Sequence, residues 1–297
     1  MTDDINKNLI KISDYLHQIL PNIGKNPMGL STGIPALDKK TKGLKSGELY
    51  IIGGRPSMGK SALMVDMVLT ASEEGAILIF SMEMSAKLLI ERMVANLAGV
   101  NFSDMQDNLL SNTERKKIEE ASNSLLSKEI FICDNAYVNH VYISNIVEAV
   151  IVDHKVAICS VFIDYLQLMG FKGLADTRNE EIAAICRNLK NLARYYNIPF
   201  VVLSQLNRKV ESRDNKRPTM ADLRDSGAIE QDADSIMFLY RPGYYTMLSG
   251  NKDIIDTGEA EIIIAKQRNG PTGIVHCMFD KAAMSFRDRG NVELGDI

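Results

Sequence analysis

Gly54-Arg55-Pro56-Ser57-Met58-Gly59-Lys60-Ser61 is the stretch that decides the fold. It has the G-x-x-x-x-G-K-S spacing of a phosphate-binding loop, which carries meaning only where a strand runs into it and a helix leaves it. Both flanks are present. Leu49-Tyr50-Ile51-Ile52 is a short apolar run, and from Lys60 to Glu74 the apolar residues Leu63, Met67 and Leu69 have helical spacing. Small residues let backbone N–H groups close around phosphate oxygens, and a helix N-terminus adds positive partial charge. Lys60 is placed to reach the β- and γ-phosphates of a nucleotide, and the Ser61 hydroxyl to ligate Mg²⁺. The expected nucleotide-binding residues are Arg55, Ser57, Met58, Gly59, Lys60, Ser61 and Ala62, with ATP and Mg²⁺ as cofactors.

The rest of the chain repeats the alternation that this motif requires. Short apolar runs at 49–52, 77–80, 130–133, 161–163, 200–203 and 236–239 are mostly continuous, as in parallel strands buried on both faces. Helical patterns at 87–98, 114–126 and 180–196 separate several of them. This βαβ series predicts a doubly wound, mainly parallel sheet. Beyond Glu259 the strands crowd together, at 262–265, 274–279 and 284–287, and predict an antiparallel edge. Ahead of the sheet, Ile5, Leu9, Ile12, Leu16 and Ile19 form an amphipathic stripe ended by Pro21. The division expected is an amphipathic linker helix and tether over 1–30, followed by one α/β domain over 31–297.

Composition removes other classes. The 297 residues suffice for one sizeable α/β core plus a small appendage. A net charge of −4 is a poor global signature for a nucleic-acid binder, so any such site must be a local patch. Cys133, Cys159, Cys186 and Cys277 are scattered without a C-x-x-C pair, which suggests neither a zinc site nor a disulfide framework. The acidic start Met1-Thr2-Asp3-Asp4 lacks a signal peptide's apolar stretch, and no apolar run reaches membrane-spanning length. A cytoplasmic protein without a membrane partner is expected.

In open α/β sheets the ligand lies beyond the carboxyl ends of the strands. Ser81-Met82-Glu83 follows one run, Asp164 another, and Ser204-Gln205 a third. Asp164 reads as a carboxylate emerging beside Mg²⁺, or as a cap of the next turn. Glu83 reads as a general base for the attacking water, or as a helix-start residue, since Ser81 and Ser85 both look like caps. Gln205 reads as an amide that senses the γ-phosphate.

Longer words carry a resemblance. Ser31-Thr32-Gly33 through Leu37-Asp38 to Gly43-Leu44 and Gly47, the loop Arg55 to Ser61, and Asp164-Tyr165-Leu166-Gln167-Leu168-Met169 are three of them. Leu203-Ser204-Gln205-Leu206-Asn207-Arg208 and Asp222-Leu223-Arg224-Asp225-Ser226-Gly227 with Ile229 to Asp234 are two more, followed by Lys266-Gln267-Arg268-Asn269-Gly270-Pro271. From about residue 5 onward the chain resembles the C-terminal motor domain of DnaB-type replicative helicases. The resemblance implies a RecA-like P-loop NTPase fold and a homo-hexameric ring around single-stranded DNA, with ATP between subunits. It implies 5′→3′ translocation during DNA replication and a helicase loader as a further partner. It assigns Lys60, Glu83 and Gln205 to catalysis, Asp164 with Ser61 to the metal, and Lys266 and Arg268 to a basic pair reaching the neighbouring subunit's nucleotide. Without the resemblance that pair reads as a solvated strand end. The family's N-terminal domain is not in this sequence, so primase docking is not implied. Rival readings are a RecA- or KaiC-like ATPase, and a nucleotide-gated scaffold that unwinds nothing.

The same resemblance places DNA contact at Arg224, Asp225 and Gly227, where Arg supplies charge and Gly an open backbone N–H. Asp225 stands where the family usually has Glu. From Gln205 to Arg224 there are six basic residues against three acidic ones, a surplus of +3 in an otherwise acidic chain. Its polar, turn-forming composition indicates a loop, which suits the flexible channel lining that the resemblance implies and otherwise reads as a solvated loop. A second loop, 171–179, is a further candidate for the channel.

Overall fold

The continuous apolar runs become the centre of a nine-stranded sheet in the computed structural model, which describes residues 11–13, 16, 20–22, 28–170, 177–223, 226–248 and 256–289. The amphipathic stripe of 5–19 and the 171–176 part of the second loop lie outside the described residues, apart from 11–13 and 16. The strands are β1 (Leu49–Gly54), β2 (Ala76–Ser81), β3 (Ile130–Cys133), β4 (Ile158–Asp164), β5 (Phe200–Gln205), β6 (Ser235–Tyr240), β7 (Glu259–Gln267), β8 (Gly273–Asp280) and β9 (Ser285–Asp288). Their order is β3-β2-β4-β5-β1-β6-β7-β8-β9. The first six pair in parallel and β7 to β9 add antiparallel, as the crowding of the last runs predicts.

Helices cover both faces: α1 (Pro35–Thr41), α2 (Lys60–Ala71), α3 (Ala86–Ala98), α4 (Phe102–Gln106), α5 (Asn112–Leu126), α6 (His140–His154), α7 (Arg178–Tyr196), α8 (Ser226–Asp232) and α9 (Pro242–Leu248). Successive strand residues alternate between the two faces, which is why nearly every position is apolar. Tyr50, Ile52, Ile77, Ile79, Val201 and Leu203 enter one core with α2. Leu49, Ile51, Leu78, Phe80, Phe200 and Val202 enter the other with α6 and α7. Each such fully buried side chain contributes about 1.5–3 kcal/mol.

Local signals set the helix ends. Ser111 and Glu114 form a capping box on α5, and Thr177 and Glu180 form one on α7. Ile182, Ile185, Cys186, Leu189 and Ala193 then supply the buried stripe of α7. The word Ser31 to Asp38 has a structural explanation. Buried Asp38 accepts from the Ser31 hydroxyl at 2.6 Å, the Thr32 hydroxyl at 2.7 Å and the Thr32 N–H at 3.0 Å, fixing how the chain enters the sheet. Gly29 and Leu30 also bond to Lys42 and Leu44. Five helices, α1, α4, α6, α8 and α9, lie where sequence analysis names none.

Candidate nucleotide site

Four carboxyl ends stand side by side in the order β2, β4, β5, β1. Strand spacing of about 4.8 Å places the outer two only ~14 Å apart, the scale of one nucleotide triphosphate and its metal. Register fixes the neighbours: Ser81 pairs with Asp164, and Gly54 with Gln205.

The loop after β1 is shaped by its own backbone. Ser57 and Gly59 both take left-handed conformations, at φ 65° and φ 98°. A Cβ on Gly59 would meet the Phe286 ring at 2.9 Å, so only glycine fits there. The first intrahelical bond of α2 runs from the Leu63 N–H to the Gly59 carbonyl at 2.9 Å. The N–H groups of Lys60, Ser61 and Ala62 therefore lack intrahelical acceptors and are available to an anion. Lys60 Nζ donates to the Gly54 carbonyl at 3.0 Å and the Arg55 carbonyl at 3.2 Å. Burial holds the Lys60 pKa below its ordinary value, and the charges of Asp164 and Glu83 oppose that shift.

Asp164 is 1% exposed. Its Oδ2 accepts from the Ser61 hydroxyl at 2.8 Å, while its buried Oδ1 has no hydrogen-bond partner among the described residues. Burial raises its pKa, the Ser61 bond opposes the shift, and Glu83 adds to it. An orphaned carboxylate oxygen beside a serine hydroxyl fits a hard cation with oxygen ligands.

Glu83 is exposed in the bend after β2. Ser85, not Glu83, starts α3, accepting from the Leu88 N–H at 3.3 Å. That leaves Glu83 without the helix-start role, two residues ahead of the cap. Ser81 does not cap either, since its hydroxyl donates to the Met84 carbonyl. Gln205 ends β5, and its backbone is clamped by Gln167. The Gln205 N–H donates to Gln167 Oε1 at 3.0 Å, and Gln167 Nε2 donates to Ser204 Oγ at 2.9 Å.

The Arg55 side chain turns away from this cradle. It bonds Glu211 at 2.7 Å and the Leu206 carbonyl at 2.8 Å, so its share in the loop is through the backbone. Sequence reasoning missed Arg92 on α3. Its Nε is buried without a hydrogen-bond partner among the described residues, and the charges of Asp164 and Glu83 act on it. A single arginine between Leu89 and Met93, both buried, was the available signal.

Lys266 and Arg268 do not join this group. Gln267 pairs with Ser235, and Ser235 with Tyr50, so the pair sits level with the amino end of β1. Tyr50 to Gly54 is about 13 Å of strand, which puts the pair at the far edge of the sheet from its own P-loop. Lys266 Nζ donates to the Glu230 and Ala233 carbonyls at 2.5 Å. Arg268 bonds Asp234 and the Gln231 carbonyl, each at 3.1 Å, and is exposed. Both cations thus rest on the C-terminal carbonyls of α8 and the residues just after it, where positive charge is favoured.

Arg224 and Asp225 lie outside the described residues. Gly227 lies exposed in the first turn of α8, where its N–H has no intrahelical acceptor, and a Cβ there would meet nothing within 4 Å. The stretch before it is less open than its composition predicts. It forms 3-10 turns at Arg208–Ser212 and Met220–Asp222. Leu206 bridges to Leu223, and the Asn207 N–H bonds the Asp222 carbonyl at 2.8 Å. Arg213 pairs with Asp222 at 2.7 Å, Arg217 with Glu261 at 2.6 Å, and Lys216 donates to the Arg213 carbonyl at 3.1 Å, so three of the six cations are engaged internally. Arg208 and Lys209 remain exposed. Among the described residues no helix is long and apolar enough to cross a membrane.

Residues 29–288 match the family model of the DnaB-like helicase C terminal domain. The chain is 38% identical over 291 residues to the replicative DNA helicase DnaB of Helicobacter pylori strain 26695, covering 88% of this chain and 59% of that protein. It is 39% identical over 274 residues to the replicative DNA helicase DnaB of Geobacillus stearothermophilus, covering 91% of this chain and 58% of the relative. The chain therefore spans somewhat over half the length of these relatives. A solved structure described as an ATPase domain superposes with a TM-score of 0.86 at 32% identity, covering 95% of this chain and 99% of that one. A DnaB-like replicative helicase, solved in work on its interactions with primase, gives 0.83 at 32% identity, covering 95% of this chain and 67% of that one. The RecA-like architecture expected from the sequence is thus the observed one, and the chain belongs to the DnaB-like helicase C-terminal domain family.

Proposed function

We propose that this chain is the ATP-hydrolysing motor of a ring-forming replicative DNA helicase, moving 5′→3′ on single-stranded DNA in the cytoplasm. The observation that carries the proposal is the separation of the two halves of its catalytic machinery. The P-loop, Asp164, Glu83 and Gln205 meet at one edge of the sheet, and Lys266 and Arg268 stand at the other. A basic pair that cannot reach its own nucleotide can serve a neighbour's, so the active site is complete only between subunits. A homo-hexameric ring satisfies this at every site.

In this reading the N–H groups around Ser57 to Ala62 and the Lys60 ammonium bind the phosphates. Ser61 and Asp164 would hold Mg²⁺, which would supply positive charge beside the phosphates. Glu83 takes the proton of the attacking water as its oxygen bonds the γ-phosphorus and the bond to the β-phosphate oxygen breaks. The neighbour's Arg268 and Lys266 stabilise charge on the transferring group. Gln205 registers the loss of the γ-phosphate. Arg224, Asp225 and Gly227 grip the DNA backbone without sequence preference, with a strong dependence on salt. Residues 1–30 act as linker helix and tether and 31–297 as the motor, and a loader protein places the ring on DNA.

ATP turnover measured with and without single-stranded DNA, from dilute to micromolar protein, tests this. The expected result is turnover per chain that rises with both protein concentration and DNA. Turnover insensitive to both would refute the motor reading.

A further inference from the structure

The proposed motor needs a physical link between the nucleotide edge and the DNA-facing stretch that follows Leu223, and one P-loop side chain offers it. Arg55 belongs to the phosphate loop by sequence, yet its guanidinium faces the segment leaving β5. It donates through Nε to Glu211 at 2.7 Å and through Nη1 to the Leu206 carbonyl at 2.8 Å. The Leu206 N–H in turn bonds the Gly54 carbonyl at 3.3 Å. The Gly54 carbonyl is also an acceptor for Lys60 Nζ, and so is the Arg55 carbonyl. A lysine drawn towards a phosphate must release those two carbonyls, the second of which belongs to Arg55 itself.

The far end of the segment is fixed just as firmly. Leu206 bridges to Leu223, and Asn207 bonds the Asp222 carbonyl. Displacement of Leu206 is therefore passed across one bridge to Leu223. Asp222 is held from inside the loop by Arg213 and by the Thr219 N–H and hydroxyl, so the segment is closed on itself by hydrogen bonds. Arg55 enters that unit at two points, its base at Leu206 and its first turn at Glu211.

We propose that Glu211, through its ion pair with Arg55, is a positioning residue that couples nucleotide binding at the P-loop to DNA binding by the stretch after Leu223. The inference rests on the motor reading above. The exposure of the two partners separates coupling from stability. Arg55 is 7% exposed and Glu211 43%, and an ion pair with one half-exposed partner adds little to folding. Arg55 keeps the Leu206 carbonyl when Glu211 is removed, so the P-loop retains its support.

The test uses the full chain at a concentration where it assembles, with a fluorescent oligothymidylate and a non-hydrolysable ATP analogue. Affinity for each ligand is measured in the absence and presence of the other, for wild type, Glu211→Ala and Glu211→Asp. Coupling of binding is reciprocal, so one factor describes both directions. In Glu211→Ala the factor by which nucleotide tightens DNA binding is expected to fall roughly three- to tenfold. Nucleotide affinity without DNA and the melting temperature stay as in wild type, and Glu211→Asp restores part of the coupling. A purely structural role would lower melting temperature and both affinities together. Full coupling in Glu211→Ala would overturn the inference while leaving the motor reading intact. Absence of coupling in wild type would overturn both.

Discussion

Replacing Arg268 by alanine separates what the residue does for the fold from what it does for catalysis. In its own subunit the guanidinium makes one bond to Asp234 and one to the Gln231 carbonyl, both 3.1 Å, and its side chain is 49% exposed. An ion pair this exposed contributes about 0–1 kcal/mol, and Asp234 keeps Lys190 and the Leu49 N–H. The variant should fold and assemble. A guanidinium stabilising the transferring phosphoryl group is worth about 10³–10⁵ in rate. At 1.36 kcal/mol per factor of ten, that is roughly 4–7 kcal/mol of barrier, several times the stability change. Turnover at micromolar protein with single-stranded DNA, paired with binding of a fluorescent ATP analogue, reads the two effects separately. The expected outcome is near-abolished turnover with nucleotide affinity and melting temperature close to wild type. Near-normal hydrolysis would refute the assignment of Arg268 to a neighbour's site.

Other substitutions probe the P-loop edge and its supports. Asp164→Asn removes a charge that burial disfavours, since a carboxyl whose pKa is raised in the fold costs stability when ionised. Its melting temperature without ligand should hold or rise, while the stabilisation given by Mg²⁺ and ATP disappears; a fall in melting temperature with that stabilisation intact would contradict the role. Asp66 on α2 is pushed up to about 7 by burial, against bonds from the Phe286 N–H and Asn96. A carboxyl raised in the fold binds more protons there than in the unfolded chain. Wild type should therefore lose stability relative to Asp66→Asn as pH rises between about 4 and 7, by up to ~4 kcal/mol, and level off above. Denaturant titrations of both proteins across pH measure this, and parallel profiles would speak against it. Gly59→Ala forces a left-handed backbone on alanine and a Cβ into the Phe286 ring, so about 1–3 kcal/mol of stability and most nucleotide affinity should go. An unchanged melting temperature would show that the loop relaxes.

The sheet was legible because parallel strands buried on both faces leave continuous apolar runs, and each run from 49–52 to 236–239 lies inside an observed strand. Helix α6 was not, because His140–His154 is rich in valine and isoleucine and carries apolar residues round much of its circumference. Its start depends on Asn139 accepting from the Tyr142 N–H, a local cap easily read as a loop. At the site, Glu83, Asp164 and Gln205 could be found because each lies within three residues of the end of an apolar run. Gln167 and Glu211 meet partners far away in the sequence. Gln167 reaches the backbone of a strand end 38 residues away, and Arg55 meets Glu211 across 156. No periodicity marks such pairs. The placement of Lys266 and Arg268 needed strand register, which the sequence of one strand cannot supply.

Subunit mixing tests the central claim most directly. Arg268→Ala leaves a subunit with an intact P-loop and no guanidinium to offer, and Lys60→Ala leaves the reverse. Each protein alone should hydrolyse almost no ATP. In mixed assemblies, interfaces that join the Lys60→Ala subunit's Arg268 to the Arg268→Ala subunit's P-loop are complete. Turnover should therefore reappear on mixing and peak at intermediate ratios. A mixture as inactive as its components, under conditions where mixed assemblies form, would contradict an active site shared between subunits.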